Sequence, residues 1–290
     1  MTLASSPCSA EDFDNETAPA KINLALHVRK RRADGYHALE TAFAFATGGD
    51  EVSVEADYRI SLSITGPFAE GLEADSDNLV LKAANLLADH VGVSTGAKLR
   101  LTKNLPVASG IGGGSADAAA TLRMLNRFWD LHLPLSGLIN IGKQLGADVP
   151  ACILGKTCIG RGRGDDLSLV DDNDLAGAPL LLVNPLKPVS TGAIFAAWDK
   201  VDRGAMPTGA ASAILRDGRN DLEPIAVGLC PEIGQILAAL TPLAGEGRAR
   251  MSGSGATCFA LFADDAARNA AAAEIERIFP GYWTYKTHVA

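Results

Sequence analysis

The 290-residue chain predicts an α+β fold of two domains. Three observations carry this expectation. Strand-like alternation and helix-like periodicity mix without a regular βαβ rhythm, which disfavours a doubly wound parallel sheet. The length exceeds what one core usually serves. Beyond about residue 160 the texture changes, from strands around a glycine-rich segment to short helices and a late glycine turn. The expected division is a flexible tail over 1–17, a first domain over 18–165 and a second over 166–290.

Each element has its own signal. Residues 1–17 are rich in Ser, Asp and Glu and carry no apolar segment, so they read as a frayed tail rather than a secretory or plastid leader. Lys21 to Val28 alternates as a strand does, and Asp34-Gly35 marks a turn. Leu39 to Phe45, Glu51 to Glu55 and Ile60 to Thr65 suggest further short strands. Asn78 to His90 has helical spacing, with Leu79, Ala83, Leu86 and Leu87 on one face and Ser76 or Asp77 as its cap. Ala97 to Thr102 is a strand. Ser115 to Asn126 is a helix, and Pro134 to Leu145 is another, stopped at Gly146. Leu180 to Val183 is a strand followed by short helices. Ala249 to Met251 and Cys258 to Phe262 flank the turn Ser252-Gly253-Ser254-Gly255. A helix over Asp264 to Ile278 and a strand over Tyr282 to Thr287 close the chain.

Composition removes several function classes. Hydrophobic residues make up 47% and charged residues 21%, as in ordinary globular proteins. No apolar run reaches the ~18 residues of a membrane span. The net charge of −8 argues against nucleic-acid binding. The one basic run, Arg29-Lys30-Arg31-Arg32, fits a solvated turn or a device that steers phosphate. The five cysteines are scattered without a Cys-x-x-Cys pair, which leaves zinc and redox motifs unsupported. They read as reduced thiols of a cytoplasmic protein, with Cys152, Cys158 and Cys258 as small core residues. His27, His90, His132 and His288 carry no assigned role.

The most informative stretch is Pro106-Val107-Ala108-Ser109-Gly110-Ile111-Gly112-Gly113-Gly114-Ser115-Ala116-Asp117. Glycine lets a backbone approach a ligand with no Cβ in the way. A glycine loop that feeds a helix start gathers free N–H groups and the positive end of the helix dipole, which suits a nucleotide phosphate. It is neither the P-loop, because Gly114 stands where a lysine is required, nor Gly-x-Gly-x-x-Gly. A plain strand-to-helix connection fits the same residues. Ser115 offers either a hydroxyl to the phosphate site or a helix cap.

Four segments stand in order: Ala18-Pro19-Ala20-Lys21-Ile22-Asn23-Leu24, the glycine loop, Gly146-Ala147-Asp148-Val149-Pro150 and Ser252-Gly253-Ser254-Gly255-Ala256. Together they resemble the superfamily of galactokinase, homoserine kinase, mevalonate kinase and phosphomevalonate kinase, the GHMP kinases. Arg32-Ala33-Asp34-Gly35-Tyr36-His37 resembles, within it, the family whose acceptor is 4-diphosphocytidyl-2-C-methyl-D-erythritol. The match covers roughly residues 18 to 290. It implies an N-terminal nucleotide-binding domain, a C-terminal domain on the substrate side, and an active site between them.

The resemblance also implies roles. Phosphoryl transfer asks a protein for positioning and charge neutralisation more than for covalent chemistry. Asp148 would accept the acceptor's proton, or mainly orient its hydroxyl, with Lys21 beside it. Asn23 would position the sugar-alcohol end. Tyr36 would stack on cytosine, His37 would hydrogen-bond it, and Phe195, after Thr191, would cover the opposite face. Asn78, Lys103 and the loop Pro106 to Ala116 would hold ATP. Each admits a plainer reading: Asn23 as a polar rim residue, Phe195 as core, Asn78 and Lys103 as surface. ATP and Mg²⁺ are the implied cofactors, with the Mg²⁺ ligands open. The implied partner is the small acceptor alone, with no nucleic acid and no membrane, in a monomer or homodimer. The implied reaction belongs to the non-mevalonate (methylerythritol phosphate) route to isoprenoids. A sister kinase for homoserine or a mevalonate-type acceptor, and a catalytically silent regulator, are the competing readings. Two departures stand out. Asp165 in Gly162-Arg163-Gly164-Asp165 replaces a frequent Glu, and Ala116-Asp117 stands where Ser-Asn is common.

Overall fold

The computed structural model describes residues 13–290. Two sheets organise it. The first contains β1 (Phe13–Arg31), β2 (His37–Asp57), β3 (Ile60–Thr65), β4 (Gly96–Thr102), β5 (Cys158–Gly162) and β6 (Asp166–Leu169). Its path runs β3-β4-β2-β5-β6, with β1 paired along β2. Within it α1 (Leu79–Val91), α2 (Gly113–Phe128), α3 (Leu135–Gly142) and α4 (Val149–Leu154) cover an apolar core. The second sheet is antiparallel, in the order β10-β7-β9-β8, from β7 (Pro179–Asn184), β8 (Ala249–Met251), β9 (Cys258–Leu261) and β10 (Trp283–His288). Helices α5 (Thr191–Ala196), α6 (Ala211–Asp217), α7 (Glu223–Leu229), α8 (Pro231–Ala244) and α9 (Asp265–Ile278) accompany it.

The two sheets share a third core. Ile22 and Leu24 of β1 and Ala44 of β2 pack with Leu180, Leu182 and Phe259 of the second sheet. Backbone contacts add to this: Leu26 N donates to Arg219 O at 2.8 Å, and Ala290 N donates to Phe45 O at 2.8 Å. The long strands β1 and β2 thus belong to the first sheet and also support the second.

Several expectations need correction. Residues 13–17 are strand, paired from Phe13↔Glu55 to Thr17↔Glu51. Their acidic side chains have partners on α2, since Glu16 holds Arg123 at 2.8 Å and Asp14 holds Arg127 at 3.0 Å. An acidic composition suggested a tail because those arginines lie more than a hundred residues away. The rest of the expected tail, with Cys8, lies outside the described residues. The two strands expected at Leu39 to Phe45 and Glu51 to Glu55 are one strand, β2. A division at 165/166 cuts through the β5–β6 hairpin, in which Arg161 faces Asp166 and Cys158 faces Leu169. The first sheet therefore runs past residue 165. Helix α1 is capped by Asn78, whose side chain accepts from Val80 N, rather than by Ser76 or Asp77. The four described cysteines are buried and free. Burial pushes the thiols of Cys152 and Cys158 up to about 12, which leaves them inert.

Candidate active site

One cleft of about 730 Å³ opens between the two sheets. Its floor is β1. Between two register slips, at Pro19/Lys21 and Asn23/Ala25, the strand pairs regularly, and its alternation turns Lys21 and Asn23 together into the cleft. Both are almost fully buried. Lys21 N–H donates to Ile111 O at 2.9 Å, which ties the strand to the glycine loop.

Asp148 meets Lys21 from the other wall. It precedes α4, where Pro150 sits in the first turn and needs no donor. Its carboxylate lies 3.1 Å from Lys21 Nζ and its side chain is 37% exposed, against 3% for Lys21. Asp148 is the only carboxylate lining the cleft among the described residues. Lys21 Nζ also donates to Asn23 Oδ1 at 2.9 Å. Asn23 Nδ2 donates to Thr41 Oγ1, and Thr41 donates onward to Ala25 O, each at 2.8 Å. This chain of bonds sets the orientation of the Asn23 amide and aims the lysine.

The glycine loop wraps over this floor. Gly112 has φ +67°, and a Cβ there would come 3.0 Å from Lys21 Cε, so glycine answers both the backbone and the close approach. Gly110 has φ +79° and lies against the second glycine turn, where a Cβ would meet Ser252 O at 2.5 Å. Ser252 Oγ donates to Gly110 O at 3.0 Å and accepts from Asn23 N at 3.1 Å, so three separated segments meet at one hydroxyl. Gly112 is the N-cap of α2. Ser115 is therefore not the cap. It lies in the helix's first turn and lines the cleft. Ile111 and Ala116 are buried and line neither the cleft nor the hollow beside it; Ile111 O accepts from Lys21 N and Ala116 N donates to Gly112 O.

A second hollow of about 240 Å³ adjoins the loop and is lined by Asn78, Pro106, Val107 and Ala108 among others. Asn78, Pro106, Val107 and Ala108 thus stand together beside the glycine loop. Lys103 lines this hollow too, but it is not a surface lysine. It is 3% exposed, and its ammonium is taken by Asp50 and Asp117 beneath the loop.

The far end of the cleft is aromatic. His37 packs on Phe195 with centroids 5.1 Å apart and a tilt of 30°, and edge-on to Trp198 at 5.6 Å. Burial, followed by the nearby Arg31 charge, lowers the His37 pKa, which keeps the ring neutral near pH 7. Tyr36 is 53% exposed, and the Arg163 guanidinium sits 5.3 Å over its ring. Arg163 is held by Asp165, which explains the aspartate in that hairpin. Phe195 thus packs against His37 on the cleft wall. Thr191 Oγ1 lies 2.8 Å from Ser254 Oγ, joining α5 to the second glycine turn. Sequence reasoning missed Trp198, Arg163 and Thr41. Trp198 was within reach, since it follows Phe195 by three residues, one helical turn.

Comparison with known proteins agrees with this geometry. Family models describe "GHMP kinases N terminal domain" over residues 78–156 and "GHMP kinases C terminal" over 207–281. A 4-diphosphocytidyl-2-C-methyl-D-erythritol kinase of Sphingopyxis alaskensis is 51% identical over 271 residues, covering 92% of this chain and 95% of its own. The kinase of that name from Brucella melitensis is 46% identical over 282 residues, with 93% of each chain covered. A crystal structure of a 4-(cytidine 5'-diphospho)-2C-methyl-D-erythritol kinase superposes with TM-score 0.77 at 32% identity, over 95% of this chain and 99% of that one. A homoserine kinase from Cytophaga hutchinsonii shares the fold at TM-score 0.75 and 18% identity. The chain belongs to the 4-diphosphocytidyl-2-C-methyl-D-erythritol kinase family of the GHMP kinases.

Proposed function

We propose that the chain transfers the γ-phosphoryl group of ATP to the 2-hydroxyl of 4-diphosphocytidyl-2-C-methyl-D-erythritol, giving the 2-phosphate and ADP. The observation that carries this is the Lys21–Asp148 pair at 3.1 Å, set at the mouth of the glycine loop. The loop's N–H groups and the start of α2 receive the phosphates. Asp148 orients the acceptor hydroxyl and takes its proton as the bond to phosphorus forms. Lys21 pairs with Asp148 and stabilises negative charge on the transferring group. A loose transition state demands little basicity, so orientation by Asp148 is its larger contribution.

The aromatic end receives the cytosine. A neutral His37 can both donate and accept along a base edge. Tyr36, backed by Arg163, presents its free face to the ring. Thr191, Phe195 and Trp198 close the opposite wall. An acceptor as small as homoserine or mevalonate would leave this wall unfilled, which favours the cytidyl substrate over a sister reaction.

Mg²⁺ normally keeps waters and phosphate oxygens in its shell and takes one or two carboxylates. Among the described residues no cluster of three acidic, His or Cys side chains exists to hold an ion independently. The site thus fits an ion carried in on ATP, with Asp148 as the available carboxylate. Such an ion supplies charge neutralisation at the phosphates. No helix among the described residues is long and apolar enough to cross a membrane. We assign the chain to the cytoplasm, as a monomer or homodimer.

The test is a coupled ADP-release assay with ATP and Mg²⁺ and each of three acceptors. Turnover with the cytidyl substrate alone is expected. Turnover with homoserine or mevalonate would overturn the assignment of the aromatic end.

A further inference from the structure

Beneath the glycine loop, on the side away from Lys21, three charged side chains are buried together. Asp50 comes from β2, Lys103 from the end of β4 and Asp117 from α2; they are 0%, 3% and 3% exposed. Lys103 Nζ donates to Asp50 Oδ2 and to Asp117 Oδ2, the latter at 2.8 Å. Asp50 Oδ1 is satisfied by the N–H groups of Asn104 at 2.6 Å and Leu105 at 2.9 Å. Asp117 Oδ1 is buried and has no partner. A buried carboxylate oxygen without a donor is costly in the charged form and tolerable in the protonated one.

The position of the cluster gives this a consequence. A Cβ at Gly113 would lie 3.3 Å from Lys103 Nζ and 3.7 Å from Asp50 Oδ2, so the cluster forms the underside of the loop. Two carboxylates and one ammonium leave one net negative charge under a site built for anions. From β10, Tyr285 faces Asp50, and burial followed by the Asp50 and Glu51 charges raises its pKa, which keeps it neutral; the remaining groups near this region are engaged. Just before α1, Asp77 pairs with Lys82 at 2.9 Å and Asn78 caps the helix. Across the loop on β1, Lys21 is held by Asp148 and Asn23. Farther along α2, Arg123 and Arg127 pair with Glu16 and Asp14 on β1.

We propose that Asp117 is a proton-linked positioning residue, which takes up a proton from solvent when nucleotide phosphates settle on the glycine loop and so makes the floor beneath them neutral. The inference rests on the loop being the phosphate site. Protonation supplies the O–H that the carboxyl pair lacks, and Lys103 then balances Asp50 alone. Burial raises the pKa of Asp117 and the Asp50 charge adds to it, while Lys103 opposes both; the result lies near 7. Phosphate charge above the loop pushes in the same direction as burial. A group that gains a proton on binding makes affinity fall as pH rises.

The experiment is calorimetric titration of ADP into the full chain at pH 7, in two buffers of different ionisation heat, for wild type and Asp117→Asn. Subtracting the two proteins cancels the nucleotide's own phosphate protonation. The wild type is expected to take up several tenths of a proton more than D117N. Its Kd, relative to that of D117N, is expected to rise several-fold between pH 6 and pH 8. Equal uptake with a constant Kd ratio would overturn the inference and leave the phosphate site standing. No binding in either protein would overturn both. Should D117N fail to fold, the infrared difference spectrum of the wild type decides. A carboxylic-acid carbonyl band that grows on ADP addition supports the proposal, and its absence overturns it.

Discussion

Two lysines flank the glycine loop, each buried and each bound to aspartate, and their surroundings give them different work. Lys21 shares its ammonium between an amide and a carboxylate that is 37% exposed. Lys103 shares its ammonium between two carboxylates that are 0% and 4% exposed. Desolvation pulls the pKa of Lys103 down, and its two aspartates more than offset this, so the net shift is upward. One pair opens onto the cleft and can exchange a proton or a contact with a ligand. The other lies almost wholly buried beneath the loop, at the edge of the second hollow, and supports the backbone there. Burial of the lysine does not separate chemistry from architecture; exposure of its partner does.

That contrast can be broken from either side. The largest effect is expected for Asp148→Asn, which should lower kcat by roughly 10²–10⁴-fold, the range for a lost proton acceptor. ATP binding, measured calorimetrically, should survive, and near-normal turnover would remove Asp148 from the chemistry. Lys21→Met should also lose kcat while its denaturation midpoint holds close to that of the wild type. Lys103→Met should do the reverse in kind. It leaves two carboxylates buried against each other and should cost about 3–5 kcal/mol in denaturant unfolding. If Lys103→Met unfolds like the wild type and only nucleotide binding suffers, the distinction between the two lysines fails.

Smaller effects belong to the aromatic end. Trp198→Ala removes the edge-on support of His37 and should raise the acceptor KM about 2- to 10-fold, given the worth of one aromatic contact. The KM for ATP should hardly move, and equal changes in both would place Trp198 in the general fold. The mildest effect is that of pH on His37. Its pKa is lowered from the ordinary 6.5 by burial and by Arg31, so the neutral ring prevails above that value. Acceptor binding should be constant above pH 6.5 and weaken as pH falls further and the ring charges, with His37→Gln showing no such fall. His27 obeys the same sign. It is buried between Gly204 O and Arg219 N, and burial lowers its pKa. Its contribution to stability is present above the unfolded value and is lost as pH falls through it.

Much of the fold was legible in the chain because the signals are local. Strands β3, β4 and β7 and helix α9 lie within a residue or two of their expected spans, where alternation, periodicity or an Asp264 cap marks them. Turn chemistry also identified the glycine loop, since glycines at 110 and 112 adopt left-handed φ values. Helix α8, with 14 residues, was not separated from the short helices around it, because Pro231 and Pro242 obscure its periodicity.

By itself the sequence determined the α+β class and the glycine loop, because each follows from local periodicity or turn chemistry, while the Lys21–Asp148 pairing was implied only by the resemblance that the ordered motifs carry. Tertiary structure alone decided three things: that residues 13–17 are strand, that Lys103 is held by Asp50 and Asp117, and that Trp198 and Arg163 complete the aromatic end. Each depends on partners far apart along the chain, and pairing at that range is set by which faces are buried together rather than by what stands next in sequence.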